Sequence, residues 1–240
     1  MNPDAPKALT KTIQLSEMLT REIAAGRYPD GTRLPTERQM AEKLGVAVGT
    51  LRRALSILEE RGLLRRIQGS GNYIRVQPEI ESMYEFFRLE LLQGGGSPTA
   101  EVLSVRKIEK NEDFPNIGPG ALAHRIRRIR YLDATPVEVE EIWLDGRFID
   151  DIERSDLQDS LYNYYKETLG VIIGSVTDKV GVCKVPNWAP DIFGLDPGTP
   201  CGLVERISYD LSGEPVEFSQ NWFNQDVCRY TNRLGKRQAV

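Results

Sequence analysis

The 240-residue sequence has few of the residues from which metal sites and disulfide frameworks are built. It contains one histidine and three widely separated cysteines, with no Cys-x-x-Cys pair. This spacing argues against a zinc site or a disulfide framework, and we expect no metal and no cofactor. The cysteines are expected to be small buried hydrophobes: Cys183, Cys201 and Cys228.

Long apolar runs are also missing. No segment is apolar enough to cross a bilayer, and the N-terminus, MNPDAPKALTK, lacks the apolar stretch of a signal peptide. We therefore expect a cytoplasmic protein that does not bind membranes. The hydrophobic fraction of 40% supports packed cores, and the length fits one large domain or two smaller ones.

The net charge of −4 conceals an uneven distribution along the chain. Residues 1–76 hold 13 Lys and Arg against 8 Asp and Glu, a balance of +5, whereas the remainder has a balance of −9. A positive end on a negative body indicates that this end meets a polyanion. We predict one domain at 1–76, a linker at 77–84 and a second domain at 85–240.

Three helices and a hairpin are predicted in the basic part. The first helix repeats apolar residues at four-residue spacing: Leu15, Leu19 and Ile23. The second begins with Thr36 and Gln39, which have the spacing of a capping box, and ends at Gly45. Two short runs around the glycine-containing segment 68–71 indicate a hairpin.

The third helix begins with valine and glycine instead of a strong capping residue. Its inward stripe follows an i, i+3, i+4, i+7 pattern: Leu51, Ala54, Leu55 and Leu58. Its outer face carries Gly49, Arg53 and Ser56, flanked by Thr50 and Arg52. Adjacent arginines are often only a solvated face. Here two helices, a tight turn and a glycine-tipped hairpin favour a winged helix-turn-helix whose third helix enters the major groove.

The segment from GTRLPTERQM to GSGNYI, residues 31–74, resembles the winged helix-turn-helix of the GntR family of bacterial transcription regulators. It shares the Leu-Pro-x-x-Arg start, the Thr-x-Arg-x-Ala-Leu core, the Glu-x-x-Gly-Leu exit and the Gly-x-Gly wing. The resemblance implies operator contacts by Arg38 and Arg52, with Gly69 and Gly71 against the minor groove. The other predicted DNA contacts are Thr36, Val48, Gly49, Thr50, Arg53 and Ser70.

One segment departs from the family pattern at two positions, because Val46-Ala47-Val48 stands where the family usually has Val-Ser-Arg. Ala47 removes the capping serine, a loss of roughly 0.5–2 kcal/mol. Val48 cannot hydrogen-bond guanine, but it can pack against a thymine methyl. We therefore expect a shifted operator preference, with Arg53 or Arg65 compensating for the missing arginine.

The rest of the sequence is β-rich and contains an internal repeat. RIRYLDATPVEVEEIW, from Arg128, parallels RISYDLSGEPVEFSQNW, from Arg206, and each predicts a hairpin of a pseudo-symmetric antiparallel sheet. Between them, SDLQDSLYNYYKETLG predicts a helix capped by Ser155 and ended by Gly170. Upstream, the glycine run at 94–96 either binds a ligand or only links two elements.

The first repeat places charged residues on a common strand face. Arg128 and Arg130 share one face, as do Glu138 and Glu140. One interpretation is an exposed ladder of cross-strand ion pairs. The other is a pocket in which arginines bind an anion and a carboxylate binds hydroxyl or amine groups.

This half resembles, more loosely, the UTRA effector-binding domain of HutC-like GntR regulators, which is related in fold to chorismate lyase. The resemblance rests on Arg-x-Arg-x-x-Asp-x-x-Pro at 128–136 and on GEPVEFSQNWFNQD. With Glu138 added from the strand pattern, the predicted effector site is Arg128, Arg130, Glu138, Glu140, Glu217 and Phe223. The phenylalanine replaces a common tyrosine, and Asn224-Gln225-Asp226 replaces the usual Arg-Gly-Asp. Both changes argue against a sugar phosphate and leave a small anionic effector.

The sequence therefore predicts an α+β protein with an N-terminal winged helix-turn-helix domain and a C-terminal antiparallel-sheet domain of the chorismate lyase-like UTRA fold. We predict a ligand-responsive bacterial transcriptional regulator, a repressor that binds an inverted-repeat operator as a homodimer and is released by a small anionic metabolite.

Two alternatives were weighed against a regulator. The first is a chorismate lyase-like enzyme domain that acts on a small acid and is fused to a DNA-binding head. No catalytic constellation supports it, because His124 has no nucleophile motif nearby and fold kinship does not transfer chemistry. The second is an architectural DNA binder without an effector, which leaves the whole β-rich domain unexplained.

Overall fold

The structure is a computed structural model that describes residues 10–24, 27–75, 84, 86–110, 115–157 and 160–232. These residues form two compact units. One contains the described residues up to Arg88 together with 230–232, and the other contains Leu89–Arg229. The predicted linker at 77–84 lies outside the described residues except for Tyr84, so its bounds stay a prediction.

The first unit is a three-helix domain with a hairpin. Its elements are α1 (Lys11–Ala24), α2 (Glu37–Lys43), α3 (Val48–Glu60), β1 (Leu64–Ile67) and β2 (Gly71–Ile74). The two strands pair antiparallel, with Leu64 opposite Ile74. This order confirms the predicted winged helix-turn-helix. Within the described part of the chain, no helix is long and apolar enough to span a membrane.

The helix ends follow from local sequence. Thr36 and Gln39 form the predicted capping box, in which Gln39 N donates to Thr36 Oγ1 at 3.3 Å and Thr36 N donates to Gln39 Oε1 at 3.1 Å. Helix α3 begins after Ala47 without a side-chain cap, because alanine has no acceptor. Gly45 and Gly62 follow α2 and α3 with φ of 61° and 71°, a left-handed conformation that favours glycine.

The inward stripes of the helices pack into one hydrophobic core. The four stripe residues of α3 are at most 1% exposed: Leu51, Ala54, Leu55 and Leu58. Burial of one large aliphatic side chain contributes roughly 1.5–3 kcal/mol. The packing therefore fixes which side of α3 faces outward.

The second unit is built on a six-stranded antiparallel sheet. Its strands are β4 (Pro98–Glu109), β5 (Leu122–Leu132), β6 (Thr135–Asp145), β7 (Ile173–Lys184), β8 (Pro200–Asp210) and β9 (Pro215–Phe223). They lie in the order β4-β5-β6-β9-β8-β7. The short strands β3 (Leu89–Leu91) and β10 (Cys228–Tyr230) pair separately.

The two sequence repeats form matching halves of the large sheet. The β5–β6 and β8–β9 hairpins meet along β6 and β9, where Glu138 lies opposite Phe223 and Leu144 lies opposite Glu217. Glu138 and Glu217 hold the same place in the two repeats, so this register has approximate two-fold symmetry. The predicted pseudo-symmetric sheet is confirmed.

The helix between the repeats begins later than predicted. Ser155 does not cap it but lies in a 3₁₀ turn. Helix α4 (Leu161–Tyr164) begins instead after Ser160, whose Oγ accepts a hydrogen bond from Asn163 N at 3.3 Å. A wider π-helical turn, Tyr165–Leu169, continues it, and Gly170 ends it with φ 69°, as predicted.

The structure also locates the three cysteines and the glycine run. Cys201 and Cys228 are buried as predicted, but Cys183 is exposed because it lies near the end of the edge strand β7. Gly94, Gly95 and Gly96 join β3 to β4 with φ of 86°, 72° and 107°. Three positive φ angles explain why this connection consists of glycine.

Candidate functional site

The outer face of α3 is the first candidate surface. Val48, Gly49, Arg52 and Arg53 are exposed on it, and Thr50 is half-buried. The uncapped amides at the start of α3 carry partial positive charge and favour an anion such as phosphate. This face therefore combines a narrow, small-residue start with two guanidinium groups one turn further on.

Arg52 is anchored to the preceding helix. Its Nε donates to Glu37 Oε2 at 3.0 Å, and its Nη2 lies 2.9 Å from the same oxygen. Arg66 in β1 joins the wing to α3, since its Nη2 donates to Ser56 Oγ at 2.9 Å and to the carbonyl oxygen of Arg52 at 3.2 Å. These contacts fix the wing and the guanidinium of Arg52 relative to α3.

The other predicted DNA contacts surround α3. Arg38 is exposed on α2, and Thr36 is exposed while its hydroxyl serves the capping box, donating to Gln39 Oε1 at 2.7 Å. In the wing, Gly69 and Gly71 have φ of 75° and 133°, and Ser70 Oγ lies 2.7 Å from the Tyr73 hydroxyl. The glycines are thus needed by the turn itself, whether or not they touch DNA.

A face of the large sheet, hereafter the polar face, is the second candidate site. It carries Arg128 and Arg130 of β5 directly opposite Glu140 and Glu138 of β6. All four side chains are buried, with Arg128 only 2% exposed. The interpretation as an exposed ion-pair ladder is therefore wrong, because strand alternation fixes a shared face but not whether other elements cover it.

The charges on the polar face are unevenly paired. Arg128 Nε donates to Glu140 Oε1 at 2.5 Å, and Arg130 Nη1 lies 3.8 Å from the same oxygen. Glu138 forms no ion pair within the described residues, and its Oε2 is buried without a hydrogen-bond partner. Burial and the neighbouring Glu140 raise the pKa of Glu138 to about 8.

Glu217 occupies the corresponding place in the second repeat and is fully satisfied. It accepts hydrogen bonds from Tyr165 Oη at 2.6 Å, Ser208 Oγ at 2.9 Å and Tyr162 Oη at 3.3 Å. Burial raises the pKa of Glu217, and the bonds from Tyr165 and Ser208 partly oppose this rise. Helix α4 and its π-helical turn thus place two tyrosine hydroxyls on the polar face.

Phe223 closes the end of the polar face. It lies opposite Glu138 on one side and opposite Gly202 of β8 on the other. A Cβ at Gly202 would overlap the Phe223 ring, so only glycine leaves room for this ring position. Phe223 is 8% exposed and contributes a flat apolar wall beside Glu138.

Sequence reasoning missed several residues of the polar face. Arg206 binds Asp178 through two bonds, Nε–Oδ1 at 2.6 Å and Nη2–Oδ2 at 2.7 Å. Arg206 was recognisable from the repeat, since it holds the place of Arg128. Tyr162 and Tyr165 carried no comparable signal, because a helical apolar pattern does not distinguish a hydroxyl that binds a carboxylate from one at the surface.

The enzyme alternative finds no support in the geometry around the lone histidine. His124 is fully buried, and its Nε2 lies 2.9 Å from the carbonyl oxygen of Ile149. Among the described residues, no nucleophilic side chain forms a hydrogen bond with it. The histidine therefore joins two parts of the second unit as a structural hydrogen-bonding residue.

Comparison with known families agrees with the division of the chain into two units. The model described as "Bacterial regulatory proteins, gntR family" matches residues 11–74, and the UTRA domain model matches residues 93–229. Among solved structures, the possible transcriptional regulator YydK from Bacillus subtilis is similar with a TM-score of 0.55 at 19% identity, over 95% of this chain and all of that chain. This likeness supports the fold.

Three named relatives are similar to this chain over nearly their whole length. The HTH-type transcriptional regulator SmoD of Agrobacterium fabrum is 48% identical, over 95% of this chain and 97% of the relative. The HTH-type transcriptional repressor NagR of Bacillus subtilis is 25% identical, over 96% of each chain. The mannosyl-D-glycerate transport/metabolism system repressor MngR of Escherichia coli is 26% identical, over 91% and 93%. The chain therefore belongs to the GntR family, as a HutC-like, ligand-responsive transcriptional regulator with a winged helix-turn-helix and a UTRA domain, and not to a family of enzymes.

Proposed function

We propose that this regulator is a cytoplasmic repressor that binds an inverted-repeat operator as a homodimer and is released by a small anionic metabolite. The observation that carries the DNA-binding part is the exposed outer face of α3, where Arg52 and Arg53 project beside an uncapped helix start. Arg38 and the wing glycines Gly69 and Gly71 would contact the adjacent backbone and minor groove.

A homodimer follows from the small size of one such surface. A single winged helix reads only a few base pairs, and a two-fold dimer reads the same bases twice on an inverted repeat. We assign the dimer contacts mainly to the UTRA domain. The junction at 75–82, of which the structure describes only Arg75, would transmit the effector signal with a coupling of about 1–3 kcal/mol.

The anionic effector is supported by the polar face. Arg128, Arg130 and Arg206 bring three guanidinium groups to one side of the sheet, and guanidinium groups bind carboxylate, phosphate and related groups through paired hydrogen bonds. Two relatives are named repressors, and the name of MngR specifies mannosyl-D-glycerate, whose glycerate part is a carboxylate.

The experiment selects operators from random duplex DNA with the purified full chain, then measures mass and footprint. The proposal expects a complex of two 27.1 kDa chains protecting two inverted half-sites. A monomer that protects a single half-site contradicts it. The variant Arg130→Ala should retain operator affinity but lose release by any small acid that releases the unchanged protein.

A further inference from the structure

The two repeats place equivalent carboxylates in unlike surroundings. Glu217 lies opposite Ser208, whose hydroxyl donates to it, and two tyrosine hydroxyls complete its coordination. Glu138 lies opposite Arg130, which holds the place of Ser208 in the first repeat. Because the sheet is approximately symmetric, Glu217 shows how a fully hydrogen-bonded carboxylate is bound at this position.

Glu138 lacks the hydroxyl donors that bind Glu217. The guanidinium groups of Arg128 and Arg130 both approach Glu140 Oε1, and Glu138 has no ion pair in the portion of the chain that the structure describes. The Glu138 side chain is nevertheless buried, with its Oε2 left without a hydrogen-bond partner. A buried carboxyl without a paired charge is far more stable as the neutral acid, which is a hydrogen-bond donor.

The charged and titratable groups around Glu138 are consistent with a neutral acid. Glu140 on the same strand disfavours ionisation, whereas the guanidinium groups of Arg130, Arg128 and Arg206 only partly offset burial, and the pKa of Glu138 remains about 8. Cys228 of β10 is also near, but burial raises the pKa of its thiol to about 12, so it does not titrate in the same range.

We propose that Glu138 binds the effector directly as a carboxylic acid. It donates its O–H to an anionic group of the ligand, and the positive charge of Arg130 attracts the same group. This inference rests on the proposed release by an anionic metabolite. It adds the chemistry of recognition, because an ionised glutamate would repel the ligand anion.

The test measures anion binding by the full chain as a function of pH. The probes are sulfate and gluconate, whose charge is constant between about pH 6.5 and about pH 9.5, with neutral glucose as the comparison; dissociation constants are taken from calorimetry and thermal shift. For the unchanged protein we expect anion affinity that is constant below about pH 8 and falls about tenfold per pH unit above it.

The variants separate a proton donor from a structural group. Glu138→Gln keeps an N–H donor without a titrating proton, so it should bind anions with nearly unchanged affinity at neutral pH and without the decline above about pH 8. Glu138→Leu removes the donor and should lose most of the affinity. Glu141→Gln makes the same chemical change on the opposite face of β6 and should keep the pH profile of the unchanged protein.

Three results overturn the proposal. They are affinity that rises with pH, a decline that persists in Glu138→Gln, and the absence of binding by either anion at every pH. The first would make Glu138 an ionised acceptor for ligand hydroxyl groups. Operator binding by the same preparations is measured in parallel, so a failure at Glu138 is distinguished from a failure of the DNA-binding function.

Discussion

Arg52 of α3 is bound to Glu37 of α2 while its guanidinium remains accessible. The Nε–Oε2 distance is 3.0 Å, yet the Arg52 side chain is 61% exposed. Exposed ion pairs contribute only about 0–1 kcal/mol to stability. The ion pair therefore acts mainly by orienting Arg52, because it holds this long side chain at the outer face of α3 before any DNA is present.

Arg52→Ala should remove specific operator binding without unfolding the domain. Loss of one guanidinium contact to guanine costs about 1–3 kcal/mol of discrimination, whereas the leucine stripe behind it is untouched. Fluorescence anisotropy on selected operator DNA measures the loss, and thermal unfolding reports on the fold. Arg106→Ala, an equal loss of charge at an exposed position of β4, is the control. Equal footprints for Arg52→Ala and the unchanged protein would refute the assignment.

Gly49→Ala should stabilise the protein and weaken its operator binding. Gly49 is helical, and a Cβ there meets no atom within 4 Å, so alanine should raise the free energy of unfolding by about 0.5–1 kcal/mol. The added methyl projects from the face that approaches base edges. Urea unfolding and operator titration measure the two effects. Gly69→Ala is the contrast, because its φ of 75° makes alanine strained there. An unchanged operator affinity for Gly49→Ala would remove Gly49 from the interface.

The winged helix was predictable because its signals are local. The capping box of Thr36 and Gln39, the stripe from Leu51 to Leu58 and the glycine-tipped hairpin each lie within a few residues along the chain. The helix between the repeats was harder. Ser155 and Ser160 are both acceptable caps by sequence, and the choice of Ser160 depends on tertiary packing that buries Tyr164 and Tyr165.

The polar face could be predicted only in part. Alternation placed Arg128, Arg130, Glu138 and Glu140 together correctly, but it could not show that they are buried. The internal repeat equates Arg206 with Arg128, so the place of Arg206 on this face was predictable from the sequence. The hydroxyls that satisfy Glu217 come from α4 and its π-helical turn, some fifty residues away in sequence, and no local pattern encodes such a contact.

Gly202→Ala should impair the effector response while leaving operator binding intact. The new Cβ would overlap the Phe223 ring and displace it from its position opposite Glu138. Overpacking of this kind costs about 1–3 kcal/mol, which urea unfolding measures. The double variant Gly202→Ala with Phe223→Leu should recover part of the lost stability, because the smaller side chain makes room. Additive losses in the double variant would show that the two residues do not compete for the same space.

Glu138→Gln should change the dependence of stability on pH even without a ligand. The pKa of Glu138 is about 8 in the folded protein against 4.5 as its ordinary value, so between these values the folded state holds a proton that the unfolded state has lost. Folding therefore favours the protonated side chain. The resulting stabilisation of the folded state is fully present below about pH 4.5 and is lost as pH rises towards about 8. The free energy of unfolding changes by at most about 1.4 kcal/mol per pH unit.

Glutamine cannot ionise, so the difference in unfolding free energy between Glu138→Gln and the unchanged protein should grow in favour of the variant over this range. Urea unfolding at a series of pH values measures it, with Glu141→Gln as the matched control. Parallel pH profiles for the unchanged protein and Glu138→Gln would mean that Glu138 is ionised when the protein folds, and the neutral acid would have to be abandoned.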